Sequence, residues 1–262
     1  MKRVLILAFG GAVYTVFFLT FLYLIAFLGN LQATALADAL PWLPAVVPVS
    51  IDLGRSTGPM ALAVAIDLGL ILLFGLQHSI MARSGFKARL TRVVPQALER
   101  SVYVLASSIV LIVLFWQWRP IPEIVWAADS PLGLWLGWTT FAAGFGIVLV
   151  STFLIDHFDL FGLRQVWAGF RGVEAAPHRF VEPGPYRWVR HPMYVGFLLA
   201  LWGGPVMSVG HVLFSAGMTA YILIGIRFEE RELVRYLGPD YEAYRERTPM
   251  LVPGLRRRVR GG

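Results

Sequence analysis

The chain has 262 residues, of which 57% are hydrophobic and only 15% charged, with nine tryptophans and a mean hydropathy of +0.64. A soluble domain carries about 25% charged residues, so a water-soluble globule is excluded and an all-α, polytopic membrane protein is indicated. Cysteine is absent, which removes disulfides, thiolate metal sites and a cysteine nucleophile; the net charge of +7 comes from arginines beside apolar runs, as cytoplasmic loops require, and not from a nucleic-acid-binding stripe.

Lys2-Arg3 precedes an apolar run, Val4 to Gly29, much longer than the about 7–15 apolar residues of a signal peptide. It is expected to be a retained first span. Residues 31–58, broken by Pro41, Pro44, Pro48 and Gly54, read as an external loop with a short interfacial helix. Pro59–Met81 is the second span, followed by the basic stretch Arg83–Arg100. Leu98–Trp118 is the third span, ending on Trp116 and Trp118 where aromatic belts lie.

Pro131–Ile155 is the fourth span, and its Gly133-Leu-Trp-Leu-Gly137 spacing suits close helix packing. A long polar segment, His157–Arg190, holds Arg164, Arg171, Arg179, Arg187 and Arg190. Pro192–Phe228 is apolar throughout but broken at Gly203-Gly204-Pro205. It predicts a short helical hairpin with arms of about 17 residues, near the lower limit for crossing. Arginine-rich and arginine-poor loops then alternate without exception, giving about six transmembrane segments with both termini cytoplasmic. The chain divides into N-terminal transmembrane helices, residues 1–156, on the substrate side, and a C-terminal region, residues 157–262, expected to hold a cytoplasmic cofactor pocket.

Ionisable groups are costly inside a bilayer and mark candidate function. Asp67 lies within the second span and Gln77-His78-Ser79 near its cytoplasmic end. Asp156, His157 and Asp159 close the fourth span, and His191, Tyr194, Arg227, Glu229 and Glu230 flank the hairpin. All but Asp67 gather at one membrane face, which predicts a cytoplasm-facing pocket and not a pore. Asp156-His157-Phe158-Asp159 has no second cluster to complete a coordination sphere, so no metal is expected. No glycine-rich dinucleotide loop, Walker loop or nucleophile elbow occurs.

The block Gly184-Pro-Tyr-Arg-Trp-Val-Arg-His-Pro-Met-Tyr-Val-Gly196, with Glu229-Glu230-Arg-Glu, Gly238-Pro-Asp-Tyr-Glu-Ala-Tyr244 and Pro249, resembles the isoprenylcysteine carboxyl methyltransferase superfamily. Phe74-Gly-Leu-Gln-His-Ser-Ile-Met-Ala-Arg83 and Phe153-Leu-Ile-Asp-His-Phe-Asp-Leu-Phe-Gly-Leu-Arg-Gln165 resemble its nurim-like branch, and within it the bacterial enzymes that convert methanethiol to dimethyl sulfide. The resemblance implies an S-adenosyl-L-methionine-dependent methyltransferase acting on a small apolar thiol. It also implies cofactor contacts at His178, Arg179, Phe180, Val181, Tyr186, His191, Pro192, Met193, Tyr194 and Glu229.

Aromatic faces and a carboxylate suit a sulfonium, and paired charges suit an amino-acid moiety. The superfamily's carboxyl methyltransferases place an arginine four residues before the cofactor-binding glutamate; Gly225 stands there in this chain, which points away from a carboxylate acceptor. A thiol acceptor is best served by a base, because the thiolate is the nucleophile, and His78 or the Asp156–His157 pair are the candidates. A larger thiol, an isoprenoid or lipid acceptor, and a non-catalytic nurim-like membrane protein are the alternatives.

Overall fold

The computed structural model describes residues 2–54, 58–174 and 182–254. In chain order the helices are α1 (Lys2–Gly29), α2 (Ala35–Ala39), α3 (Leu43–Val46), α4 (Met60–Ala82), α5 (Ser84–Leu90) and α6 (Gln96–Gln117). They continue with α7 (Pro131–Ile155), α8 (His157–Leu160), α9 (Leu163–Arg171), α10 (Pro192–Trp202), α11 (Val209–Leu237) and α12 (Pro239–Arg247). A two-stranded antiparallel pair, β1 (Ile124–Ala127) and β2 (Val206–Ser208), joins the loop before α7 to the loop before α11.

α1, α4, α6, α7 and α11 are long and apolar enough to cross a bilayer. Leu19, Leu72, Leu76, Trp135 and Phe153 lie exposed on them, as expected of helices whose outer faces meet lipid. Inside, Phe27, Leu114, Phe115, Trp118, Phe214, Ile222 and Ile226 form one cluster with Phe141 and Phe145 of α7. Lipid tails are as apolar as these side chains, so close packing and polar contacts, not expulsion from water, hold the helices together.

The tightest seam runs between α7 and α10. A Cβ added at Gly144 would collide with the backbone of Ala200 and Gly196, and one at Gly196 would lie 2.7 Å from the Gly144 carbonyl oxygen. Gly137, singled out by its spacing, lets Pro205 approach in the same way. Ser130 caps the start of α7, its hydroxyl accepting from the Gly133 amide at 3.1 Å, with Pro131 in the first turn.

The expected hairpin with two arms of about 17 residues does not form. α10 has 11 residues and α11 has 29, about 16 Å and 43 Å at 1.5 Å per residue. The glycines and proline at 203–205 end α10, but the chain then runs extended to Ser208 before α11 begins. Backbone without helical bonds is tolerated at such depth only if other partners satisfy it, and several are supplied here. The Leu201 carbonyl accepts from His211 Nε2 at 3.1 Å and Ser215 Oγ at 2.7 Å. The Pro205 carbonyl accepts from the Ala128 amide, and the Val209 and Gly210 amides donate to the Glu123 and Ile121 carbonyls.

Ser208 caps α11 by accepting from the His211 amide at 3.0 Å and itself donates to Asp52. Asp52 also accepts from Asn30 Nδ2 at 2.6 Å. This network ties the end of α1, the loop after α3 and the start of α11 at the membrane face opposite the arginine-rich loops. Asp67 belongs to the same end. It accepts from the Arg119 amide at 2.9 Å and so satisfies the chain just beyond α6.

Candidate active site

At the other face α4, α6, α10 and α11 converge. The stripe Tyr221, Gly225, Glu229 recurs every four residues on α11 and therefore shares one side of that helix. Tyr194, in the first turn of α10, donates from its hydroxyl to Glu229 at 2.9 Å. Tyr103, Tyr186, Tyr194 and Tyr221 all lie within electrostatic reach of the Glu229 carboxylate. Three helices and the turn before α10 thus each contribute a phenol to the neighbourhood of this exposed carboxylate, with Tyr194 hydrogen-bonded to it. A Cβ at Gly225 would meet nothing within 4 Å, so the space between Tyr221 and Glu229 on this stripe is open.

Tyr186 sits in the short turn Gly184–Arg187, where Tyr244 donates to its carbonyl at 2.6 Å. Burial first, then the Glu229 carboxylate, hold its phenol above the usual tyrosine range. Its buried hydroxyl faces the buried hydroxyl of Ser151 on α7. Beside Glu229 opens a cleft of about 440 Å³ lined by Ser84, Glu232, Leu233, Arg235 and Tyr236, a size that suits a small ligand. Arg83 bridges to its rim, 3.4 Å from Glu232 and 4.3 Å above the Phe228 ring.

The neighbouring Glu230 does different work. It is buried, with Oε1 2.7 Å from Arg190 Nε and 3.1 Å from His191 Nε2, and Oε2 3.4 Å from Arg245. Arg190 donates further to the Arg245 and Thr248 carbonyls, and the His191 amide donates to Met250. These bonds fasten the entrance to α10, including buried Pro192 and half-buried Met193, onto α11 and the segment after α12. His191 therefore holds the shape of the site's wall, with its ring nitrogen committed to Glu230.

His78 is half-buried on α4. Its Nε2 is 2.6 Å from Tyr103 Oη and its Nδ1 3.1 Å from Ser107 Oγ. Ser107 spends its own proton on the Tyr103 carbonyl at 3.0 Å, so Nδ1 must be the donor toward Ser107 and Nε2 the acceptor from Tyr103. His157 is bonded in the same pattern. Thr152 donates to the Leu149 carbonyl at 2.7 Å, so His157 Nδ1 donates to Thr152 at 2.8 Å and Nε2 accepts from Tyr14 at 2.8 Å.

The His157 ring is buried and stacks on Phe153 at 4.3 Å. Burial lowers its pKa below the ordinary histidine value, with Asp156 opposing the shift. Asp156 does not bond to the ring: its carboxylate pairs with Arg164 at 2.6 Å and accepts the Asp159 amide at 3.1 Å. The structure thus brings together His78, Tyr186, Tyr194 and Glu229, with His191 behind them. Asp156 and His157 stand in a separate packing of α1, α7 and α8. His178, Arg179, Phe180 and Val181 lie outside the described residues.

Tyr103, Ser107, Tyr221 and Ser151 were not anticipated. A Tyr-x-x-x-Ser pair inside an apolar helix, and a tyrosine eight residues before Glu229, are the signals that mark the first three. Among the described residues no three histidine, aspartate or glutamate side chains converge as a metal would need.

Comparison with known proteins shows the family. The chain is 44% identical over 253 residues to a methanethiol S-methyltransferase of Crocosphaera subtropica, covering 97% of this chain and 93% of the relative. It is equally 44% identical to one of Mycobacterium tuberculosis, covering 97% and 98%. Nurim of Sus scrofa is 31% identical over 242 residues, 88% of this chain and 87% of the relative. No solved structure matches. The model of the NnrU protein family matches residues 68–259, and the chain belongs to that family.

Proposed function

We propose that this chain is an integral-membrane methyltransferase that moves the methyl group of S-adenosyl-L-methionine to a small apolar thiol, methanethiol giving dimethyl sulfide. The observation that carries the reading is the Glu229 carboxylate set among four tyrosines beside an open Gly225. Relatives 44% identical over nearly the whole chain bear the name methanethiol S-methyltransferase. When bound, the cofactor supplies an electrophilic methyl group on a sulfonium. The residues fit it. Aromatic faces and a carboxylate favour a cation, and the facing hydroxyls of Tyr186 and Ser151 keep donor and acceptor capacity for a polar ligand.

Glu229 and Tyr194 hold the positive end of the cofactor, Tyr186 lines it, and Glu230 with Arg190 and His191 keeps that wall in place. Pro192 and Met193 stand on the cofactor side, within residues 157–262, where the resemblance also implies contacts at His178–Val181; residues 1–156 bring the acceptor side through α4 and α6. Gly225 leaves no cation to clamp an acceptor carboxylate, so a neutral thiol, entering from lipid, is favoured. The arginine-rich loops favour a cytoplasmic position for this face and both termini, and the bacterial relatives favour an inner membrane.

The test is calorimetry of the purified protein with S-adenosyl-L-methionine, followed by headspace detection of dimethyl sulfide from methanethiol. Binding and product are expected. Absence of binding refutes the enzyme reading in favour of a non-catalytic, nurim-like role. Binding with turnover only of long-chain thiols or isoprenoids refutes the small acceptor.

A further inference from the structure

We propose that Tyr103 is the residue that takes the proton from the thiol, with His78 behind it as the final acceptor. The inference rests on the methyltransferase reading above and names a group that the family resemblance does not supply. Both nitrogens of His78 are occupied, Nδ1 by Ser107 and Nε2 by Tyr103. A thiol therefore has no direct access to the imidazole. Tyr103 gives its one proton to Nε2 at 2.6 Å, which leaves an oxygen lone pair free to accept another.

Tyr103 faces His78 from α4, Tyr221 and Glu229 from α11, and Arg100 and Glu99 from its own helix. The Arg100 guanidinium lies 5.1 Å from the centre of its ring and favours negative charge there, while burial and the Glu229 and Glu99 carboxylates oppose it. Oη therefore passes its proton to Nε2 as it takes the thiol's and never rests as a phenolate. Gln77 Nε2, 3.4 Å from Ser107 Oγ, helps fix the hydroxyl that orients His78. The similar triad of Tyr14, His157 and Thr152 stands in the packing of α1, α7 and α8, apart from the α11 stripe that carries Glu229.

The atoms balance. A sulfur–carbon bond forms at the thiol as the donor's carbon–sulfur bond breaks. The thiol proton passes to Tyr103 Oη and the tyrosine proton to His78 Nε2. The positive charge lost from the donor sulfonium ends on the imidazolium, and water removes that proton after the product leaves.

Tyr103→Phe keeps the ring and removes the relay. Proton transfer by a positioned group contributes about 10²–10⁴-fold, so the variant should lose at least about 100-fold in kcat while binding S-adenosyl-L-methionine as the wild type does. Its rate should then rise with pH in proportion to the free thiolate, while the wild-type rate levels off. In the cofactor-free protein, nitrogen NMR should show a histidine with protonated Nδ1 whose Nε2 signal moves on Tyr103→Phe. A wild-type rate in mixed light and heavy water should follow a bowed curve, two protons moving together, whatever the variant's folding yield. Unchanged kcat and pH profile in Tyr103→Phe, an unmoved nitrogen signal, or a straight wild-type curve each overturns the relay. A wild type that methylates no thiol overturns the functional reading and the relay with it.

Discussion

Glu229 and Glu230 are adjacent in sequence, and the structure gives them opposite duties, which a pair of isosteric substitutions separates. Glu230→Gln keeps the shape of the hub but withdraws its charge from Arg190, His191 and Arg245. Removing one partner of a buried ion pair costs about 3–5 kcal/mol. Arg190 retains the Arg245 and Thr248 carbonyls, so the lower end applies, about 3 kcal/mol. At about 2–4 °C per kcal/mol for a chain of this size, the Tm should fall by roughly 6–12 °C. Glu229→Gln disturbs an exposed carboxylate with a single tyrosine partner. Its Tm should stay within about 2 °C, but binding of S-adenosyl-L-methionine should weaken at least about tenfold, the effect of about 1.5 kcal/mol for a lost charge-assisted hydrogen bond. Tryptophan fluorescence on heating in detergent reads the first quantity and calorimetry the second. If Glu230→Gln melts within about 2 °C of wild type, or if Glu229→Gln melts early and binds normally, the division of labour is refuted.

Gly144→Ala should destabilise by about 1–3 kcal/mol, since backbone on α10 cannot move aside as a side chain can, whereas Gly146→Ala, with open space around it, should be neutral; thermal melts of the two compare them directly. His157 is neutral in the fold with a pKa below the ordinary 6.5. The unfolded chain then binds more protons just below that value, so the His157 contribution is whole above about pH 6.5 and declines as the pH falls through it. Melts from pH 7.5 to 5 should show this slope in wild type and a shallower one in His157→Gln. Gly225→Arg fills open space with a cation beside Glu229. It should leave the Tm within about 2 °C and shift preference from methanethiol toward a carboxylated thiol, read as the ratio of kcat/KM for the two acceptors.

Most of the architecture was legible because spans need long apolar runs and turns need breakers. Pro131–Ile155 forms over the expected range, and α4 and α6 differ from expectation by one or two residues at each end. The hairpin was misjudged for a specific reason. Gly203-Gly204-Pro205 stops α10, but helix α11 starts only where Ser208 can cap it, so the breaker marks one helix end and not the centre of a turn. In the site, Glu229 and Tyr194 follow from their motif. The separate duties of Glu229 and Glu230 do not, because adjacent helical residues diverge by about 100° and their facing depends on α10 and α12. The links from His78 to Tyr103 and Ser107 span 25 and 29 residues and exist only once α4 lies against α6.

The stepped crossing of α10 and residues 203–208 bears on which part of the molecule opens first. The first amides of a helix ordinarily exchange fast, having no carbonyl of their own helix to bond. Here the Val209, Gly210 and His211 amides donate to Glu123, Ile121 and Ser208 within a mesh that ties four separate chain segments together. They should exchange as slowly as the centre of a helix. The mesh pins the start of α11 as the Glu230 hub pins its far half, so this helix is anchored near both of its ends.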